Sequence, residues 1–254
     1  MTDALVAEWI KIRTTATTLY CLGVALASVV LSTLLTFGMV SSYDGRDAAG
    51  RATFTGTPME EVTMLVAHLC LGVLGVLAIS SEYTSGMIRT SFIAMPSRRV
   101  VFLAKSTIVA CVVFVAAQAV IFGTFFLSRL VVGDRAIPDY RTGVDDRAAT
   151  LFAMGLTAVV VALVGLGLAA IFRSAVAAIA GIALLVYVFP IAAGNIPEPL
   201  GPKIDALSMR SLALQIGGDV PDAVLSPAAA LAVLAAYVVV AIGIATYLIG
   251  RRDA

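Results

Sequence analysis

Residues 148–172 read AATLFAMGLTAVVVALVGLGLAAIF, an unbroken run without an acid or a base. Wound as an α-helix at about 1.5 Å per residue, it exceeds the roughly 20 apolar residues that cross a hydrocarbon core of about 30 Å. Five more uncharged runs share this character, at residues 14–43, 62–81, 106–128, 174–197 and 223–250. They predict six membrane-spanning helices, near residues 17–40, 62–81, 107–130, 149–172, 175–194 and 226–249, in one all-α integral membrane domain covering residues 1–254. Mean hydropathy is +1.01, with 60% hydrophobic and only 13% charged residues, so lipid is the expected solvent. A water-soluble bundle would need amphipathic helices for its surface, and these runs have no polar face. Barrel strands would alternate at every second residue, which blocks of Leu, Ala and Val do not.

Charge gives no sign of a nucleic-acid partner. A net charge of +1, with basic residues scattered rather than striped, argues against nucleic acid. Cys21, Cys70 and Cys111 fall inside apolar runs and read as small buried hydrophobes rather than a disulfide set or metal ligands. Asp3 and Glu8 precede a run too long for a cleaved leader, so the first span is expected to remain as an anchor.

Two short stretches outside the spans carry the pattern of built elements. In residues 1–13, Leu5, Val6, Trp9, Ile10 and Ile12 share one arc of a helical wheel, with Glu8 and Lys11 opposite. Thr2 or Asp3 is placed to cap it. This predicts an amphipathic helix in the interface plane with Trp9 at headgroup level. After the second span, Glu82, Gly86, Arg89 and Ile93 recur at three- or four-residue spacing, predicting a short helix at the membrane edge that Pro96 ends. Arg98, Arg99 and Lys105 are then expected to anchor the third span near the membrane surface. A positive-inside loop would account for these bases but requires neither the Glu82-Tyr83 pair nor Gly86.

The remaining connections are simpler. The stretch 129–147 is acidic enough to be read as fully solvated, with Arg129 snorkelling to the interface. Arg173 alone separates the fourth and fifth spans, predicting a tight hairpin in which Gly165, Gly167, Ala169, Ala170, Ala177 and Gly181 allow close contact. Residues 195–202 are too rich in Pro for regular helix. Ile204, Leu207, Leu212, Leu214 and Ile216 then suggest a short amphipathic segment on or partly in the membrane. Counting Lys and Arg puts nine on the side of the termini and eight on the other, a small bias toward an inside N-terminus.

The sequence resembles the permease subunits of ABC exporters of the ABC-2 type over essentially its whole length. The resemblance rests on Glu8-Trp9-Ile10-Lys11-Ile12-Arg13 before the first span, on Glu82-Tyr83 with Gly86, Ile88 and Arg89 after the second, and on Pro96, Arg98 and Lys105 before the third. It implies that the N-terminal helix, with Glu8, Trp9, Lys11 and Arg13, and a coupling helix holding Glu82, Tyr83, Gly86, Met87 and Arg89 lie in the cytoplasm against a separate ATPase subunit. It further implies a second permease chain, identical or related, cytoplasmic termini in the cell membrane, and export. No GxxxxGK[ST] sequence is present, so ATP is expected on the partner and no cofactor on this chain.

Other classes fit less well. A membrane enzyme or an ion-coupled transporter places ionisable groups at membrane depth, and the six runs hold none beyond His68, the cysteines and a few tyrosines. A single histidine excludes a bis-histidine haem or a multi-histidine metal centre within one chain, and His68 is expected to be a packed or hydrogen-bonded residue. A non-transporting scaffold or sensor is the alternative, and the helix at Glu82 would then need another partner.

Overall fold

The structure is a computed structural model describing residues 2–84, 86–87, 97–220 and 222–251, all helix and connecting loop with no strand among them. A short helix α1 (Thr2–Thr14) leads directly into α2 (Ala16–Asp44), and α3 (Ala48–Ala52) follows in the loop. Next come α4 (Met59–Thr84), α5 (Arg98–Val132), a 3-10 turn at Pro138–Tyr140 and α6 (Val144–Phe172). The fifth apolar stretch is composite: α7 (Ala175–Ala183), a π-helical turn (Leu184–Val188) and α8 (Phe189–Gly194). Short helices α9 (Leu200–Asp205) and α10 (Met209–Gly217) precede α11 (Pro227–Arg251).

Six of these stretches are long and apolar enough to cross a membrane: α2, α4, α5, α6, Ala175–Gly194 and α11. Several overrun the uncharged runs. α4 begins one turn earlier than expected and takes in Glu60 and Glu61, while α5 starts at Arg98 and carries Lys105 and Arg129 inside its length. The helices are therefore not bare of acids and bases, because hydrogen-bonded backbone continues wherever neighbouring side chains satisfy the charge.

α6 is the most buried of the six and packs against α4, α5, α7, α10 and α11. Small residues let it do so. A Cβ on Gly75 of α4 would lie 2.1 Å from the carbonyl oxygen of Ala162, and one on Gly165 would lie 2.9 Å from the carbonyl of Gly72. Only glycine permits backbones to approach this closely. Gly165 and Gly181 also serve the expected α6–α7 hairpin, meeting Ile182 and Leu168, whereas Gly167 faces Ala241 of α11 instead. Arg173 closes the hairpin in the left-handed conformation, at φ 53°.

Three sequence expectations change. The proline-rich run does start a helix, since α9 holds Pro202 in its first turn, where a missing N–H forfeits no helical bond. The stretch 129–147 is not fully solvated: Ile137 and Tyr140 are buried, Tyr140 donates to Thr57 O at 2.8 Å, and Asp139 accepts from Gly56 N at 3.2 Å. The cysteines are free thiols but not buried, with Cys111 exposed and Cys21 and Cys70 half-buried. In a membrane an apolar outer surface meets lipid, so these positions need no burial inside the protein. The amphipathic segment near residue 209 is present as α10, whose Met209, Leu212 and Ala213 are buried against α6 and α11.

Candidate functional site: an ion cluster joining three helices

α1, the end of α4 and the first turns of α5 meet at the end of the bundle that carries both termini. Their charges form one cluster. Lys11 Nζ lies 2.8 Å from Glu8 Oε1 and 2.8 Å from Glu82 Oε1. Lys105 Nζ lies 3.0 Å from Glu82 Oε1 and donates a short hydrogen bond to Glu8 Oε2. Glu8, Glu82 and Lys105 are 2%, 4% and 3% exposed. Two lysines balance two carboxylates, the condition under which buried charge is tolerated. Burial pulls the Lys11 ammonium down, but its hydrogen bonds to Glu8 and Glu82 outweigh that and raise its pKa above 10.5.

Helical spacing explains how the residues converge. Ala4, Glu8 and Ile12 are the buried positions of α1, repeating every four residues along one side. The apolar arc divides accordingly: Val6, Trp9 and Ile10 are exposed on the outside, Leu5 is half-buried, and Ile12 turns into the core. Glu8 is thus not a solvent-facing residue, because its position on the wheel points it at Lys105. Lys105 in turn is no surface anchor. It sits seven residues into α5, about 10 Å along the axis, too deep in the packed wall to reach solvent.

The edge helix also differs from expectation. Glu82 and Tyr83 belong to the final turn of α4, and Gly86 follows at φ 71°, outside α4. That left-handed conformation ends the helix rather than continuing it. Within this chain nothing lies within 4 Å of a Cβ built on Gly86, so inside the fold it is the positive φ that favours glycine there. Tyr83 is half-buried with the Arg173 guanidinium 5.6 Å from its ring, and Met87 is 44% exposed. Arg13 and Arg99 are exposed and Arg98 half-buried. Arg89, Ile88, Ile93 and Pro96 lie outside the described residues. A cavity of about 300 Å³ adjoins the cluster, lined in part by Thr15, Thr18, Glu82, Met87 and Lys105.

The opposite end holds a second charged system, which the sequence reading did not single out. Glu60, fully buried, accepts from Arg129 at 3.4 Å and from Arg147 at 3.2 Å. Arg147 also reaches Asp219 at 3.6 Å, and Thr150 donates to the same carboxylate at 2.5 Å. Arg129 stacks with its guanidinium carbon 3.3 Å from the Phe125 ring centre, so it is held inward rather than snorkelling. Arg210 pairs with Glu61 at 2.6 Å. The available signal was the placement of acids and bases at the ends of the apolar runs. At span depth His68 is 1% exposed, with Nε2 3.0 Å from Thr157 Oγ1, a packed and hydrogen-bonded residue as expected.

Six candidate spans, with an ion cluster binding the N-terminal helix to the second and third, are the setting for a match to a known family. The profile described as ABC-2 family transporter protein matches residues 4–191. The chain belongs to that family. The match takes in α1 from Ala4 onward, the whole ion cluster, the first four candidate spans and the fifth as far as Ile191. No curated protein matches the sequence. Membership of the ABC-2 family makes this a multi-pass membrane protein and a permease component of an ABC transporter, a class that works with an ABC ATPase subunit.

Proposed function

We propose that the chain is the permease subunit of an ATP-binding cassette exporter in the cell membrane, with the end bearing both termini in the cytoplasm. In this reading it works beside a second permease chain, identical or related. A separate ATPase subunit binds ATP and drives it through α1 and the segment 82–105. This chain needs no cofactor of its own.

The observation that carries the reading is the cluster of Glu8, Lys11, Glu82 and Lys105. A permease without a nucleotide site must receive motion through surface contact, and the contacted elements must be rigidly joined to the spans. Here a push on α1 or on the end of α4 is passed to α5 through paired charges that cannot separate without stranding a buried ion. Glu82 then acts as an internal strut and not as a contact for the ATPase. Exposed groups such as Met87, Trp9 and Arg13, with Arg89, supply the docking surface, and Tyr83 packs behind it.

The test is reconstitution with an ABC ATPase that co-purifies with this chain. Met87→Asp and Arg89→Ala are expected to weaken co-purification. Glu82→Gln is expected to leave the complex assembled while ATP hydrolysis loses its link to transport. Wild-type assembly and coupled transport in all three variants would refute the assignment.

A further inference from the structure

We infer that the cavity between the π-helical turn and α10 is a binding site for a small amphiphile carrying one ammonium group, with Asp205 as its counter-ion. The cavity measures about 420 Å³, within the range of small-molecule sites. Its lining is divided by chemistry. Leu65, Val186, Pro190 and Ile191 give an apolar wall, while Asp205, Ser208, Arg210 and Ser211 bring polar groups from α9, α10 and the link between them. Arg210 pairs with Glu61 near the start of α4, and the cavity also reaches His68, seven residues farther along that helix and about 10 Å deeper. The space therefore runs from a charged rim toward membrane depth, which suits a ligand that is polar at one end only.

Asp205 sets the charge at the rim. Arg210 by itself would favour an anion, but Glu61 Oε2 lies 2.6 Å from its guanidinium and takes up that charge. Asp205 has no such partner: its Oδ2 accepts from Ser211 Oγ at 2.7 Å, and no lysine or arginine among the described residues pairs with it. Ser211 is itself fixed, because its N–H donates to Ser208 Oγ at 3.2 Å, so the carboxylate is held in place. The other oxygen, Oδ1, accepts no hydrogen bond among the described residues. The shielded side-chain atoms left unpartnered there are Glu60 Oε2, His68 Nδ1, Ser80 Oγ and Gln118 Oε1, and Asp205 Oδ1 is not one of them. Half-buried Asp205 thus keeps an accessible oxygen and a charge that the rim does not neutralise. An ammonium supplies the missing charge and donates a charge-assisted hydrogen bond. Farther in, the Tyr187 hydroxyl is held by Leu65 O at 2.8 Å, which leaves its ring and the neighbouring aliphatic groups for the apolar part of the ligand. That bond also ties the π-helical turn to α4, and such turns occur frequently at functional sites.

As a station for exported cargo the site rests on the permease reading. Binding itself is measured on this chain alone, so either idea can fail without the other. The probe is 4-phenylbutylamine, cationic at neutral pH, added to the purified chain in phosphatidylcholine nanodiscs and followed by equilibrium dialysis against nanodiscs without protein. Saturable binding is expected. The uncharged 4-phenylbutan-1-ol should bind about ten-fold more weakly, and propylamine, which lacks the apolar tail, more weakly still. Asp205→Asn keeps an acceptor for Ser211 and is expected to bring the amine down to the affinity of the alcohol, whose own binding is unchanged. Glu198→Gln, at an exposed acid outside the cavity lining, should alter neither. If Asp205→Asn loses both ligands, Asp205→Glu decides: a retained preference for the amine supports the site, and a lost one overturns it. The inference is also overturned by equal affinities for amine and alcohol, by tighter binding of 4-phenylbutanoate or propylamine, by amine binding that survives Asp205→Asn, or by an equal loss in Glu198→Gln. Displacement of the amine by phosphatidylethanolamine in the nanodisc identifies the occupant as bilayer lipid and overturns it equally.

Discussion

Replacing Lys105 by Met tests whether the ion cluster holds α1 to the bundle. The wild-type cluster is neutral, with Lys11 and Lys105 against Glu8 and Glu82. Lys105→Met keeps most of the side-chain volume and leaves a net negative charge among residues that are 2% and 4% exposed. Lys11, with a side chain 27% exposed, cannot neutralise both carboxylates. Removing one partner of a buried pair costs about 3–5 kcal/mol, roughly 10²- to 10⁴-fold in the folding equilibrium. The double variant with Glu8→Gln is expected to recover about 2 kcal/mol, a coupling within the usual span for contacting residues. It restores neutrality while Lys11 and Glu82 keep their 2.8 Å contact. The assay is SDS-driven unfolding in mixed micelles, read as a double-mutant cycle. Asp44→Asn, which breaks the exposed pair with Arg135, is the control and should leave the midpoint unchanged. Additive effects of Lys105→Met and Glu8→Gln would show that the two charges do not act together, and the proposed transmission through the cluster would fall with them.

Gly75→Ala puts a methyl 2.1 Å from Ala162 O and forces α4 from α6, at a cost of about 1–3 kcal/mol. Gly243→Ala, with nothing within 4 Å, should cost nothing, and equal thermal midpoints for the two variants would refute the close crossing. Tyr140 offers a pH signature. Burial and the Glu60 carboxylate push its hydroxyl from 10.0 up to about 12, so the neutral phenol stabilises the fold fully below pH 10.0 and that contribution is lost as pH rises through about 12. An ultraviolet difference titration of wild type against Tyr140→Phe should have its midpoint near 12, and a midpoint near 10.0 would contradict the buried setting.

Hydropathy made the six spans legible because transfer of a side chain into lipid is nearly a property of that residue alone, summed over some twenty neighbours. The family was legible in the short motifs at Glu8 and Glu82. Those motifs did not reveal which way the side chains point. Glu8 looked solvent-facing because a helical wheel shows only which residues oppose one another, and the identity of the face that is buried depends on what lies beside the helix. Lys105 looked like a surface anchor because charge near a span end commonly is one. The spacing around Gly86 did not reveal that it follows the end of α4 with a positive φ, a dihedral that only the folded backbone shows.

The sequence by itself determined the solvent of this protein, the number of its candidate spans and the family to which it belongs. Only the tertiary structure decided that Glu8, Lys11, Glu82 and Lys105 form one charged system and Glu60, Arg129, Arg147 and Asp219 another. Glu8 and Lys105 are 97 positions apart, and Glu60 and Arg147 are 87 apart. A pairing across such distances appears in no local pattern, because it exists only once packing around α6 has brought the helix ends together and removed the water that would otherwise hold each charge alone.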